Sequence, residues 1–279
     1  MAFKSISTVL TQEHSDSPCL DMAVALAQTR DAHLDVFCLG LDRTQPGFYY
    51  AGSSAMITQD NFKQAQQLSQ GIESGVQDRL AGAAFSWSAL PMAVQASGLT
   101  PFLAHHVRFS DLVVLPRPYG KGHGYEEEEI LEAVLFNGQM PVLVVPEEST
   151  VSGSFDRVVI AWNESAEALR AVRAAMPFLR QAKSVDVTII DPRLHGPDRS
   201  DPGGALSLML ARQGVRAEVS VLAKTMPRVS DVLRRHLTDK SADLLVMGAY
   251  GHSRFRESIL GGATRNMLEQ VEIPTLMAH

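Results

Sequence analysis

Short apolar runs alternate with helical patterns along the second half of the chain. Residues 157–162 (RVVIAW) are rich in β-branched side chains, and Leu169, Val172, Met176 and Leu179 then recur at helical spacing. This order predicts a strand followed by an amphipathic helix. The same reading predicts further strands at 185–190, 217–223, 244–247 and 274–278, with helices at 205–212, at 229–237 and around Met267 and Leu268.

The first half repeats this succession. The predicted strands lie at 6–10, 34–39, 85–90, 110–116 and 142–145, and the predicted helices at 20–27, 62–80 and 101–107. The segment SDLVVLP (110–116) matches ADLLVMG (242–248), and MPVLVVP (140–146) matches IPTLMA (273–278). The sequence therefore predicts an internal duplication, with repeats at 1–148 and 154–279 joined by the polar stretch EESTVSGS.

Strands separated by helices predict parallel pairing through right-handed crossovers. The expected fold class is α/β, with an open parallel sheet flanked by helices in each repeat. In such Rossmann-like sheets, ligands bind beyond the carboxyl ends of the strands, where the strand order reverses. The loops that follow Trp162 and Met247 are therefore the expected ligand-binding loops. The final strands, 142–145 and 275–278, are expected sheet edges that pair with each other and make the chain an intrachain pseudo-dimer.

Composition and charge narrow the function classes. The net charge of −6 argues against a general nucleic-acid binder, which needs a basic surface. Residues 1–150 carry 8 Lys and Arg against 17 Asp and Glu, whereas residues 151–279 carry 17 against 14, so an anion site is expected in the second half. The absence of a signal-peptide pattern and of a long apolar run predicts a cytoplasmic protein, and two cysteines argue against a disulfide framework.

A glycine-rich segment, GAYGHSRFRESILGGATRNML (248–268), follows the strand that ends at Met247. Glycine permits positive φ or a close backbone approach, and a glycine-rich turn before a helix exposes N–H groups that suit phosphate. The candidate phosphate-binding residues are Gly248, Gly251, Gly261, Gly262, Ser253 and Thr264. Neither G-x-x-x-x-G-K-[ST] nor G-x-G-x-x-G occurs in the chain.

The spacing Gly248-x2-Gly251-x9-Gly261 resembles the nucleotide-binding signature of the universal stress protein family, G-x2-G-x9-G-[ST]. The resemblance covers the whole chain as a tandem member, and it implies five parallel strands per repeat and ATP, with or without Mg²⁺, as ligand. Gly262 stands where the family has Ser or Thr, and Thr264 matches a second hydroxyl position. Asn163 occupies the position of a nucleoside-binding Asp.

The resemblance also places the backbone around Asp191 near the base. The first repeat is not expected to bind ATP in the family mode, because Pro116 replaces the first glycine of the motif and the carboxylates of Glu126–Glu129 open the last helix. Those four glutamates are interpreted as a helix start, with a cation site as the alternative.

Three functions stay open at this point. The first is a cytoplasmic stress-response protein that binds an adenine nucleotide in its second repeat, with weak ATPase activity or none, an unidentified protein partner and the option of a homodimer. The second is a nucleotide-free interaction scaffold. The third, a serine hydrolase, would use Ser253 in the near-match GHSRF and His279 as base, but Phe255 replaces the second glycine of the elbow.

Overall fold

The structure is a computed structural model that describes residues 2–12, 17–43, 54–119, 124–192, 201–249 and 262–279. The strands of the first half are β1 (Ser5–Leu10), β2 (His33–Asp42), β3 (Trp87–Gln95), β4 (Leu112–Pro116) and β5 (Val142–Val145). Its helices are α1 (Pro18–Arg30), α2 (Ser54–Leu80), α3 (Leu99–Val107) and α4 (Tyr125–Glu132), and α4 continues as a π-helical turn over Ala133–Asn137.

The second half has the same alternation of strands and helices. Its strands are β6 (Arg157–Ala161), β7 (Ser184–Ile190), β8 (Ala217–Leu222), β9 (Leu244–Gly248) and β10 (Thr275–Ala278). Its helices within the described residues are α5 (Ala166–Leu179), α6 (Gly204–Arg212), α7 (Val229–Asp239) and α8 (Ala263–Gln270). All ten predicted strands are therefore present, and the α/β class is confirmed.

The strands form one sheet in the order β3-β2-β1-β4-β5-β10-β9-β6-β7-β8. Within each half every strand pair is parallel, as the crossover pattern predicts. The central strands β4, β5, β9 and β10 are buried almost throughout, because helices cover both faces of the sheet.

The two halves meet through their last strands, which pair antiparallel. Met277 lies opposite Val142, and Thr275 lies opposite Val144. The predicted meeting of the two edge strands is confirmed, and it changes one detail of the expected architecture: the two five-stranded sheets are continuous. The pairing removes two open sheet edges, whose unpaired backbone groups would otherwise invite association.

Helix packing closes the junction on the face that carries α1 and α5. The fully buried ring of Phe178 lies 5.1 Å from the ring of Phe3 and 5.1 Å from that of Phe155. The guanidinium carbon of Arg30 lies 4.9 Å from the centre of the same ring, and Arg30 donates a hydrogen bond to the carbonyl oxygen of Pro177. One apolar cluster therefore spans both halves.

Strand β3 differs most from its predicted bounds. The prediction ended at residue 90, whereas the strand continues through Pro91 to Gln95. Proline lacks the N–H that a residue in a central strand donates. An apolar run that contains proline is therefore predicted to end before it or to form an edge strand. In the structure β3 is the edge strand of the first half, where that missing donor is tolerated.

Candidate functional site

The strand order reverses at β6, which lies between β9 and β7. On one side of β6 lie β7 and then β8, and on its other side lie β9 and then β10. The carboxyl ends of β6, β9 and β7 therefore share one edge of the sheet, and they are followed by Asn163, Ala249 and Asp191. The expected ligand-binding loops after Trp162 and Met247 thus lie at the switch point.

Gly248 ends β9 directly against the start of α5. A Cβ atom added to Gly248 would lie 2.5 Å from the backbone nitrogen of Ala168 and 2.8 Å from the carbonyl carbon of Glu167. Among described glycines, positive φ occurs at Gly203 and Gly214, so Gly248 uses the second property expected of it, close approach. The approaching group is the first turn of α5.

The first turn of α5 lies at the candidate site, although the sequence analysis predicted no role for it. Ser165 is its N-cap, and the Ser165 hydroxyl accepts a hydrogen bond from Ala168 N at 3.1 Å. The polar residues Asn163, Glu164 and Ser165, directly before a helical pattern, are the sequence feature that indicates this helix start. The positive end of a helix dipole consequently lies beside Gly248, at the same edge of the sheet.

Asn163 and Asp191 are both exposed at this edge. The side-chain oxygen of Asn163 accepts a hydrogen bond from Ser165 N at 3.2 Å, which leaves its amide N–H groups to donate elsewhere. Asp191 has a left-handed backbone with φ of 53°, and its N–H donates to the carbonyl oxygen of Leu222. The structure therefore brings both residues to the edge, and their contacts with a nucleoside stay predictions.

Helix α8 begins at the same edge, because its other end leads to β10, which runs parallel to β9. Gly262 is its N-cap with φ of −56°, so of the two properties that the sequence allows for this glycine it does not use positive φ. That φ is one that any residue adopts, so backbone freedom does not explain this glycine. Thr264 is only 4% exposed, and its contact with phosphate stays a prediction.

Three of the predicted phosphate-binding residues, Gly251, Ser253 and Gly261, lie outside the described residues. The described members of the predicted site, Asn163, Asp191, Gly248, Gly262 and Thr264, all belong to the carboxyl edge of the second half or to the helix that starts there.

Each carboxylate of Glu126–Glu129 has its own protein partner. Arg43 pairs with Glu126, Gly124 N donates to Glu127 at 2.8 Å, Tyr119 donates to Glu128 at 3.1 Å, and Thr100 donates to Glu129 at 3.1 Å. Separate partners favour the helix-start interpretation over a shared cation site. Within the described residues, no group of three or more His, Cys, Asp or Glu side chains is arranged to hold a metal ion.

His279 lies beside the start of the glycine-rich segment. Its Nδ1 is 3.0 Å from the carbonyl oxygen of Ala249, and its ring packs edge-on against Phe136 with centroids 4.6 Å apart. In a Ser-His-acid arrangement, a carboxylate contacts the histidine nitrogen that faces away from the nucleophile. Nδ1 of His279 meets a backbone carbonyl instead of a carboxylate, and Ser253, the nucleophile of the hydrolase interpretation, lies outside the described residues.

Comparisons with known proteins find similarity in sequence for part of the chain and in fold for the whole of it. The model of the universal stress protein family matches residues 154–279, the segment that contains the predicted site residues. This segment is therefore similar to the universal stress protein family. A universal stress protein of Synechocystis sp. is 27% identical over 166 residues, which are 57% of this chain. Those residues are 52% of that relative, so the chain spans about half of its length.

Solved structures show the fold over the whole chain. The crystal structure of a universal stress protein from Archaeoglobus fulgidus DSM 4304 has a TM-score of 0.71 at 14% identity, with 98% of this chain and 95% of that chain covered. A solved Pseudomonas aeruginosa UCBPP-PA14 protein has a TM-score of 0.58 at 14% identity, with 99% and 92% covered. Such identities support the universal stress protein fold and nothing finer. Among the described helices, none is both long and apolar enough to cross a bilayer.

Proposed function

We propose that the chain binds ATP or another adenine nucleotide at the carboxyl edge of its second half and acts in the cytoplasm as a regulatory module. The observation that carries the proposal is the contact of Gly248 with Ala168, because it puts the first turn of α5 at the strand end where the family motif begins. Helix α8 starts at the same edge. Two helix N-termini at one edge of the sheet favour an anionic ligand.

The nucleoside would lie across the ends of β6 and β7. Asn163 keeps its amide N–H groups for donation, and the exposed Asp191 carboxylate can accept from ribose hydroxyls. The phosphates would lie toward Gly248, Gly251 and Gly261, with Ser253, Gly262 and Thr264 beside them. In this arrangement, each residue of the motif has a proposed contact with the nucleotide. The proposed repeats are residues 1–148 and 154–279, and the site lies in the second.

The proposal assigns no hydrolytic machinery. Efficient phosphoryl transfer needs metal ligands and a group that orients the attacking water. The described residues hold no cluster suited to a metal ion. We therefore expect ATP turnover to be slow or undetectable, and the module to act by a change of shape or of protein partner.

The direct test is to denature the purified protein and analyse the supernatant for released nucleotide by chromatography. Calorimetric titration with ATP then compares the wild type with Gly251→Val and Gly261→Asp, which put bulk or negative charge where phosphate is placed. Both variants should lose ATP binding, whereas Gly82→Asp should keep it, because a Cβ at Gly82 meets nothing within 4 Å. Wild-type affinity in both motif variants would remove the site from this loop and favour the nucleotide-free scaffold.

A further inference from the structure

Side chains of the first half contact both ends of α8. In the first turn of this helix, the guanidinium carbon of Arg265 lies 4.9 Å from the ring centre of Tyr119, and Arg265 Nη1 lies 3.9 Å from Glu128 Oε1. At the other end, Arg117 Nη1 donates to the carbonyl oxygen of Val271 at 3.3 Å. Tyr119, Glu128 and Arg117 all belong to the first half.

The partners in the first half are themselves fixed. Tyr119 is 6% exposed, and its hydroxyl donates to Glu128 Oε1 at 3.1 Å. The side chain of Arg117 is 14% exposed and lies 3.9 Å from Glu148. Because these side chains are largely buried or held by a second contact, they provide a rigid surface against which α8 rests.

The contact with the first half also offsets the charge of Arg265 at the start of the helix. A cation in the first turn is disfavoured by the helix dipole. Glu269 lies 3.1 Å from Arg265 Nε on the next turn, and Glu128 and the ring of Tyr119 face the guanidinium from the first half. The first half thus supplies part of the electrostatic compensation that lets α8 begin with a basic residue. At the other end, the donation from Arg117 is favourable, since cations suit a helix C-terminus.

Helix α8 is also too short to be stable without such contacts. It spans eight residues, whereas isolated helices need roughly 12 to 15 residues to persist in water. Met267 and Leu268 are buried and hold its middle. The position of its first turn, which carries Thr264 and follows Gly262, is set in addition by Arg265.

We propose that the first half regulates the nucleotide site of the second half through a clamp formed by Tyr119, Glu128 and Arg265. The clamp fixes the first turn of α8, and with it the N–H groups that face phosphate. Arg265 is a positioning residue, and its inferred role rests on the proposed function. A partner that binds the first half near Tyr119 would change nucleotide affinity in the second half without touching the nucleotide.

The experiment combines hydrogen exchange of the α8 amides without nucleotide and calorimetric titration with ATP, both on the full chain. Tyr119→Ala should raise exchange across α8 and weaken ATP binding roughly three- to tenfold, the factor expected for loss of one cation–π contact. Tyr119→Phe keeps the ring and should stay within about twofold of the wild type in both measurements. Phe109→Ala is the matched control, because it removes an exposed contact with Arg108 of the same kind, with the guanidinium carbon 5.6 Å from the ring centre.

A double-mutant cycle tests whether Arg265 is the link. Arg265→Gln alone and Arg265→Gln with Tyr119→Ala should weaken ATP binding equally, because both remove the same contact. Additive effects would overturn the assignment to Arg265. Unchanged α8 exchange in Tyr119→Ala would overturn the clamp whatever the wild type binds. Raised exchange with unchanged ATP affinity would overturn its regulatory role, and a wild type without ATP affinity would overturn the proposed function and that role together.

Discussion

Gly248 and Ala168 are packed backbone to backbone at the switch point of the second half. The space for a Cβ at Gly248 is taken by the nitrogen of Ala168, 2.5 Å away. The glycine that begins the family motif therefore has a structural role as well as a proposed ligand-binding one: it lets α5 start at the end of β9.

Replacing Gly248 by alanine should consequently destabilise the protein by about 1 to 3 kcal/mol, the usual cost of overpacking. The backbone of α5 must move, since no flexible side chain is available to yield. Urea unfolding followed by circular dichroism measures the change, with Gly82→Ala as control. The control should stay within about 0.5 kcal/mol of the wild type, because its Cβ enters open space. Equal stability of the two variants would show that the α5 contact is looser than described.

Asp186 on β7 forms a buried polar cluster away from the proposed nucleotide site. Its carboxylate accepts hydrogen bonds from Thr188 at 2.6 Å, Ser220 at 2.7 Å and Lys240 at 2.7 Å, and His236 Nε2 lies 3.1 Å away. Burial raises the pKa of this carboxyl, but the hydrogen bonds, that of Lys240 foremost, outweigh burial and lower the pKa from 3.8 to about 2. An acidic residue in the apolar run VDVTII was the sequence signal for this cluster.

A carboxyl with a lowered folded-state pKa stabilises the protein above its unfolded pKa and loses that contribution as the pH falls through the folded value. The shift of Asp186 corresponds to about 2 kcal/mol, present above pH 3.8 and lost toward pH 2. Asp186→Asn should therefore cost about 2 kcal/mol at pH 7 and progressively less below pH 4, measured by denaturant unfolding. Asp156→Asn is the control, since its pair with Lys183 is exposed and should contribute less than about 1 kcal/mol. A penalty for Asp186→Asn that is independent of pH would contradict the charge argument.

The order of strands and helices was predictable because apolar runs and turn residues set local structure. The first and last residues of each strand and helix were less predictable. Helix α2 begins at Ser54, whereas the pattern supported a helix from residue 62, since the preceding residues show no helical stripe. The continuity of the sheet across Val142 and Met277 depends on tertiary pairing, which a period-2 pattern does not encode.

The candidate site was predictable in position and less so in detail. The glycine spacing located the loop, and the switch-point rule located the edge. The role of Gly248 against α5 and the hold of Tyr119 on Arg265 arise between segments distant in sequence, so no local pattern indicates them. For Gly262 the sequence left two roles open, positive φ or a close backbone approach, and a φ of −56° excludes the first, because glycine permits a left-handed backbone without requiring one.

The pairing of β5 with β10 predicts that the two halves depend on each other. Separately expressed segments 1–148 and 154–279 should be less stable than the intact chain or self-associate, because each exposes a buried strand edge and part of the cluster around Phe178. Analytical ultracentrifugation and thermal unfolding of the two segments test this. Segments that stay monomeric and as stable as the full chain would contradict it.

The first half presents a different surface at the corresponding edge of the sheet. Pro116 ends β4 in the place that Gly248 takes at the end of β9, and proline has no N–H to offer phosphate. A cavity of about 390 Å³ lies there, lined in part by Pro116, Val145, Glu127 and Glu147. Glu127 already accepts a hydrogen bond from Gly124 N at the start of α4, at 2.8 Å. A carboxylate therefore occupies the helix start that phosphate would need.

We accordingly expect one nucleotide per chain. Each close pair of like charges costs on the order of 1 kcal/mol even in water. The two carboxylates that line the cavity, Glu127 and Glu147, are therefore expected to outweigh the attraction of the single charge of Lys121, which lies outside the described residues. Calorimetric titration with ATP should give a stoichiometry near one, abolished by Gly261→Asp and unaffected by Lys121→Ala. The double substitution Glu127→Gln with Glu147→Gln serves as a control, since removing both charges while Pro116 remains should still not create a second site. Two equivalent sites in the wild type, or loss of binding with Lys121→Ala, would move the nucleotide to the first half.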